Sequence, residues 1–261
     1  MATTPSRSLD LGRVLSTGFN TLFKNAVPFL GVSLVLAGLP GFVFHYWLLS
    51  AGLDTAPSPE FFLTWQFWGP ILAGAGAWVV SSALLQGTLI GATVRHLSGR
   101  PVDVGQSVAG ALARVIPIIL LSLLVVLAVA FGLLLLIVPG IIFYLMYAVA
   151  VPVMMAEGRG ITASMSRSAE LTKGSRPMIF LLVIVMGMVT SGISAVCNAI
   201  FLRLTEVSGD AAMDRIMLSF GTLVEQTVAT AVGAVLIAAL YVELRAIKEG
   251  VSTEAIADVF S

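Results

Sequence analysis

The chain has 261 residues, of which 58% are hydrophobic and 11% are charged, and its mean hydropathy is +1.01. Soluble domains carry about 25% charged residues, and a soluble fold of this size has too much surface to cover with so few charges. The net charge is zero, and the single cysteine, Cys197, excludes an intramolecular disulfide or a thiol metal cluster. The composition indicates an integral membrane protein, and we expect no nucleic-acid partner, no metal and no cofactor.

Six long apolar stretches follow one another along the chain. A helix needs about 20 apolar residues to cross the hydrocarbon core of a bilayer. We therefore predict transmembrane helices over residues 27–49, 67–91, 115–137, 140–156, 178–202 and 217–242. The third and fourth are joined only by Val138, Pro139 and Gly140, so a hairpin is predicted in which proline stops the helix and glycine permits the reversal. The expected fold class is all-α, a polytopic membrane helix bundle that forms one integral membrane domain over residues 1–261.

The basic residues fall almost entirely in alternate gaps between these stretches. Twelve of the fourteen Lys and Arg residues precede the first, third or fifth stretch or follow the last one. Only Arg203 and Arg215 lie on the opposite side. Because cytoplasmic loops carry the excess of Lys and Arg, both termini are predicted to be cytoplasmic.

Each cytoplasmic segment that precedes an odd-numbered span has apolar residues at helical spacing, which predicts short amphipathic helices at the membrane surface. The first two segments open alike, with Asp10-Leu11-Gly12 and Asp103-Val104-Gly105, and each Asp is predicted to cap its helix or to lie in the first turn. Two interpretations stay open. Either the chain contains three hairpin repeats, each with its surface helix, or any interhelical segment beside a membrane becomes amphipathic.

Two glycine motifs lie inside predicted spans. Gly87 and Gly91 form a Gly-x-x-x-Gly face in the second span, and we predict that it packs helices within the chain rather than between chains. Pro40-Gly41 interrupts the first span, either as a static kink or as a hinge.

Several segments carry a resemblance to a known family. They are "IVPGIIF", "VPVMMAEGRG", "SMSRSAELTKGSRPMIF" and "LYVELRAIKEG", with "LDLGRVLSTGFNTLFKN" and "GTLIGATVRHLSGRPVDVG" nearer the N-terminus. Over nearly its whole length the chain resembles the YciC-like bacterial membrane family, which includes the membrane domain beside some glycerophosphoryl diester phosphodiesterases. The resemblance implies a multi-pass protein of the bacterial cytoplasmic (inner) membrane. The catalytic domain of fused relatives would follow the membrane part, and the chain stops at Ser261, so their activity is not expected here.

Glu225 is the most suggestive residue for function. It lies about eight residues into the sixth predicted span, roughly 12 Å deep, where an ionisable group is costly. The predicted topology places four other polar side chains in the same outer half of the membrane: His45, Tyr144, Tyr147 and Asn198. Two interpretations stay open. The five residues form an intramembrane site for a substrate or proton, or Glu225 only hydrogen-bonds a neighbouring helix and holds it in register.

The basic segment after the fourth span supplies candidate contacts to anionic lipid, namely Arg159, Arg167, Lys173 and Arg176. The alternative is that these charges only determine the topology. Because no nucleophile–base pair can be proposed from one cysteine and two scattered histidines, no catalytic residue is assigned and no enzymatic activity is expected.

Few polar residues interrupt the predicted spans, so the sequence does not indicate a hydrophilic pathway through them. The leading functional prediction is therefore handling or transport of a lipid or other amphiphile, across or within the membrane. The alternative is a structural or assembly partner of a membrane protein complex. Membrane lipids, anionic ones in particular, are the expected partners, and a membrane-protein partner or a homo-oligomer stays open.

Overall fold

A computed structural model describes residues 9–50, 60 and 64–250. These residues are 89% helical and contain no β-strand. Six of their helical segments are long and apolar enough to cross a membrane: Ala26–Ser50, Trp65–Leu97, Val115–Leu135, Ile137–Glu157, Arg176–Glu206 and Ala211–Glu249. The predicted fold class is confirmed, and the architecture is that of a multi-pass membrane protein. Arg7, one of the basic residues used to predict the orientation, lies outside the described residues.

The α-helices of the described residues, in chain order, are α1 (Leu11–Lys24), α2 (Ala26–Ser33), α3 (Leu39–Ser50), α4 (Trp65–Leu97), α5 (Val104–Leu112), α6 (Val115–Leu135), α7 (Ile137–Met146), α8 (Ala150–Glu157), α9 (Ile161–Thr172), α10 (Arg176–Ser208) and α11 (Ala211–Glu249). A π-helical turn, Leu34–Gly38, joins α2 to α3 within the first span. The fourth span consists of α7 and α8.

The long helices extend beyond the apolar stretches that predict them. The sixth span, predicted over residues 217–242, is the larger part of a helix that runs over Ala211–Glu249. Hydropathy marks where side chains leave the hydrocarbon, whereas the backbone hydrogen bonds of a helix continue into the polar region. The sequence therefore locates the six spans, but most of the helical segments continue past the last residue of the predicted span.

The reversal between the third and fourth spans differs from the prediction. It occurs at Leu136, which alone separates α6 from α7 and has extended backbone angles of φ −166° and ψ 157°. Pro139 is the third residue of α7, where the missing N–H has no partner in the helix anyway. Gly140 serves close packing instead of the turn, because a Cβ atom added at Gly132 would lie 2.8 Å from Gly140 Cα.

A short helix precedes each odd-numbered span, as the sequence predicts. Asp10 caps α1 by accepting a hydrogen bond from Arg13 N at 3.3 Å, and Asp103 caps α5 by accepting one from Gln106 N at 2.9 Å. The third helix, α9, begins after Gly160 without a side-chain cap. The two predicted aspartate caps are confirmed, and the order of a short helix followed by two spans recurs three times. The three hairpin repeats stay a prediction.

The chain divides into two compact units. Unit one comprises Met1–Ala26, Gln86–Met186 and Val232–Ser261, and unit two comprises Val27–Leu85 and Gly187–Ala231, each as far as the structure describes it. The core of unit one joins α1, α9, α10 and α11 through fully buried side chains such as Val14, Leu171, Leu182, Leu240 and Tyr241.

Both glycine motifs lie at close helix contacts. A Cβ atom added at Gly87 would lie 2.9 Å from the side chains of Ala111 and Ile118. This confirms that the Gly87 face packs helices within the chain. Pro40 follows the π-helical turn by two residues. Such a turn accommodates the carbonyl group that proline leaves without an N–H partner.

Candidate functional site

Glu225 packs against α10 in unit two. Ser194 Oγ donates a hydrogen bond to Glu225 Oε1 at 2.5 Å. One turn earlier on α11, Gly221 lets the two helices approach, because a Cβ atom there would lie 3.1 Å from the ring of Phe201. The carboxylate therefore turns toward a neighbouring helix, which is the orientation expected for an acid inside a bundle.

Two of the other predicted polar residues belong to the same unit as Glu225. Asn198 donates its side-chain amide to the backbone carbonyl of Ser194 at 2.9 Å, one turn away on the same helix. His45 Nδ1 lies 3.3 Å from Ser219 Oγ, and that hydroxyl donates to the carbonyl of Arg215 at 2.7 Å. Because the hydroxyl proton is used there, Nδ1 is the donor to Ser219.

The two predicted tyrosines lie in unit one, at the end of α7. Tyr147 stacks on Phe143 with ring centroids 6.4 Å apart, and Tyr144 is 47% exposed. Unit two thus contains three of the five predicted residues, Glu225, His45 and Asn198. Ser194, which binds Glu225 directly, was not predicted from the sequence. Its position four residues before Asn198, on one face of a helix, was the available signal.

An apolar groove lies in unit two between α3 and the first half of α4, with α11 beneath it. Its volume is about 990 Å³. Its walls are side chains of unit two that stay largely uncovered, including Val43 at 63% and Trp78 at 65% exposure. α3 and α4 approach each other at Phe44 and Gly74, where an added Cβ atom would lie 2.6 Å from the ring. No charged residue is among the described residues that line the groove.

Apart from two tryptophans, three residues with polar side chains border the groove. They are His45 on α3 and, one turn apart on α11, Thr222 and Gln226. Gln226 directly follows Glu225 in sequence, so these two residues of α11 lie on different faces of the helix. Glu225 binds α10, and Gln226 packs against α3 beside Gly41. The arrangement can hold a long apolar molecule and offers hydrogen bonds at a few points along it.

The four candidate contacts to anionic lipid have different surroundings. Arg159 Nε binds Glu157 at 2.5 Å. Arg167 pairs with three carboxylates, which belong to Glu157, Glu170 and Glu249. Lys173 and Arg176 form no ion pair with the described residues. The lipid contacts therefore stay predictions, and two of the four side chains already have protein partners.

Glu157 is the centre of a partly buried ion-pair network in unit one. Its side chain is 11% exposed and that of Arg167 is 18% exposed. The buried phenol of Tyr241 donates to Glu157 at 3.1 Å, and Arg245 binds Glu249 at 2.7 Å. Burial alone would lower the pKa of Arg167, but the charges of Glu157 and Glu249 outweigh it and raise the pKa.

This network brings together three of the segments on which the family resemblance rests. Glu157 comes from "VPVMMAEGRG", Arg167 from "SMSRSAELTKGSRPMIF", and Tyr241 and Glu249 from "LYVELRAIKEG". The charged residues of these segments thus fasten α8, α9 and α11 to one another.

The fold defines a class, the multi-pass α-helical membrane proteins, and the described residues of unit two add an apolar groove. In comparisons with protein-family models, curated proteins and solved structures, the chain matches none of them. The resemblance to the YciC-like family therefore stays a prediction.

Proposed function

We propose that this protein binds a lipid or other amphiphile in the groove of unit two and handles it within or across the bacterial inner membrane, without catalysing a reaction. The observation that carries the proposal is the groove itself. It has about 990 Å³ of space, near the upper end of the range for ligand pockets, and its described lining has no charge.

The chemistry of the lining supports an acyl chain as the occupant. An ion or a sugar would lose its hydration in such a groove and find few partners in exchange. An acyl chain has no hydration to lose, and because it comes from the bilayer it exchanges one apolar surface for another, so van der Waals packing and a few hydrogen bonds would decide its binding. The Gln226 amide can donate to an oxygen atom of an ester or headgroup at the edge of the chain, whereas the other ring nitrogen of His45 and the hydroxyl oxygen of Thr222, which itself donates to the carbonyl of Leu218, can accept.

The polar pair beside the groove supports the same proposal in a subsidiary way. Ser194 and Glu225 fix α10 against α11, and α11 forms the floor of the groove. In this proposal Glu225 keeps the floor in register and is not itself a proton carrier.

The test is purification of the full chain in a mild detergent, followed by native mass spectrometry and identification of bound lipid and protein. We expect a lipid or amphiphile bound in stoichiometric amount. Ala77→Phe should reduce that occupancy to the level of bulk lipid, because Ala77 is exposed and lines the groove.

Val80→Phe is the matched control. Val80 lies on the same helix, is 45% exposed and does not line the groove, so the added ring should leave lipid occupancy unchanged. Equal occupancy in the two variants would refute the groove as a binding site. A stoichiometric protein partner, with no lipid that depends on Ala77, would favour the structural or assembly role instead.

A further inference from the structure

A second cavity, of about 420 Å³, lies in unit one where the end of α4, the helix α5 and the ends of α8 and α11 meet. Its lining carries charged side chains, whereas the described lining of the apolar groove has none. Four arginines line it, Arg95, Arg100, Arg114 and Arg245, and no acidic side chain is among its described lining residues.

Three of these arginines have no carboxylate partner among the residues that the structure describes. Arg245 binds Glu249, whereas Arg95, Arg100 and Arg114 form no ion pair with any described residue. The Nε atom of Arg95 is buried and makes no hydrogen bond with the described residues. A buried donor without a partner destabilises a fold, and more so when it is charged. An anion in the cavity would remove this penalty.

The neighbouring polar groups leave the arginines as the main donors. Ser98 Oγ donates to the carbonyl of Val94 at 2.7 Å, and Ser107 Oγ donates to that of Asp103 at 2.8 Å. The nearest carboxylate on α5, that of Asp103, accepts from the backbone of Gln106 and caps the helix. The lining that the structure describes therefore contains four arginines and no carboxylate, and Glu249 binds one of the four, Arg245.

We propose that this cavity binds a phosphate group, carried either by a lipid headgroup or by a small phosphorylated solute. A guanidinium group presents two parallel N–H donors that match two phosphate oxygens, and three such groups around one cavity can bind a dianion. The volume is within the range of small-molecule sites. The arginines belong to segments that the charge pattern predicts to be cytoplasmic, where both sources of phosphate occur. This site does not depend on the apolar groove and can be tested without it.

The first measurement titrates inorganic phosphate into the full chain in a neutral detergent and follows its thermal unfolding and binding heat. The second reconstitutes the chain into phosphatidylcholine vesicles with and without phosphatidic acid and follows thermal stability. We expect saturable stabilisation in at least one measurement. Arg95→Gln and Arg114→Gln should each weaken the affinity about tenfold or more, because each removes a charge-assisted hydrogen bond.

Two further variants make the result specific. Arg203→Gln removes one cation elsewhere in the chain, where the side chain is 79% exposed, and should leave phosphate affinity unchanged. Arg114→Lys keeps the charge but loses the paired donors, so its affinity should lie between those of the native chain and Arg114→Gln. It also serves if Arg114→Gln fails to fold. Rising salt should weaken binding, as expected for exposed charges.

The outcomes of the two measurements distinguish a small phosphorylated solute from a lipid headgroup. Stabilisation by inorganic phosphate that depends on Arg95 and Arg114 supports a solute site, and stabilisation by phosphatidic acid alone with the same dependence supports a headgroup site. Absence of stabilisation by both probes overturns the proposal. Equal stabilisation in Arg95→Gln, Arg114→Gln and Arg203→Gln also overturns it, because that result would reflect nonspecific charge.

Discussion

Breaking the ion pair between Glu157 and Arg167 should destabilise the protein far more than breaking an exposed pair. Removing one partner of a buried pair typically costs about 3–5 kcal/mol, because the other charge is left without compensation. Arg167 keeps two carboxylates when Glu157 is lost, those of Glu170 and Glu249. Because the pair is only partly buried, we expect Glu157→Leu to lower the free energy of unfolding by about 2 kcal/mol, which is below that range and above the value for an exposed pair.

A double-mutant cycle isolates the pair. Glu157→Gln, Arg167→Gln and the double variant would be unfolded in mild detergent, and we expect a coupling energy of about 1–3 kcal/mol. The matched control is Arg203 with Glu206, a pair at 2.8 Å whose side chains are 79% and 56% exposed. Its coupling should stay below about 1 kcal/mol. If the two coupling energies are equal, the network around Glu157 does not hold α8, α9 and α11 together.

Two other changes test close packing and the intramembrane acid. Gly132→Ala should lower the free energy of unfolding by about 1–3 kcal/mol, because its Cβ atom would lie 2.8 Å from the backbone of Gly140. Gly187→Ala, which meets nothing within 4 Å, should be neutral or stabilising, and equal melting temperatures would contradict this packing. Glu225→Gln keeps an acceptor for Ser194 and should melt with the native chain, whereas Glu225→Leu should melt lower. A low-melting Glu225→Gln variant would show that the charge itself is needed.

The spans could be predicted because the bilayer imposes a simple requirement of length and apolarity. The aspartate caps of α1 and α5 could be predicted because capping is local, within three residues of the helix start. The position of the reversal between α6 and α7 could not be predicted from the sequence. The Pro139-Gly140 pair is typical of a turn. The same sequence is also compatible with a turn at Leu136, followed by a helix whose third residue is Pro139. The decisive contact, between Gly132 and Gly140, depends on how two helices pack.

The candidate site illustrates the same limit. Depth along a helix is readable from sequence, so Glu225, His45 and Asn198 could be assigned to one region of the membrane. The depth of a residue does not determine the direction in which its side chain points around the helix axis. Tyr144 and Tyr147 lie in the other unit. The apolar groove carries no sequence signal of its own, because every residue that could line it also fits lipid or a helix interface.

Local sequence nevertheless separates two kinds of arginine in this chain. Each described arginine that forms an ion pair has a carboxylate partner within four positions along the chain: Arg13, Arg159, Arg167, Arg203 and Arg245. Arg95 and Arg114 have no acid within four positions and form no ion pair among the described residues. Arg100 has Asp103 three positions later, but that carboxylate caps α5. An arginine that pairs with an adjacent acid has part of its charge compensated locally. The unpaired arginines are therefore the ones free to act on anions, and three of them face one cavity.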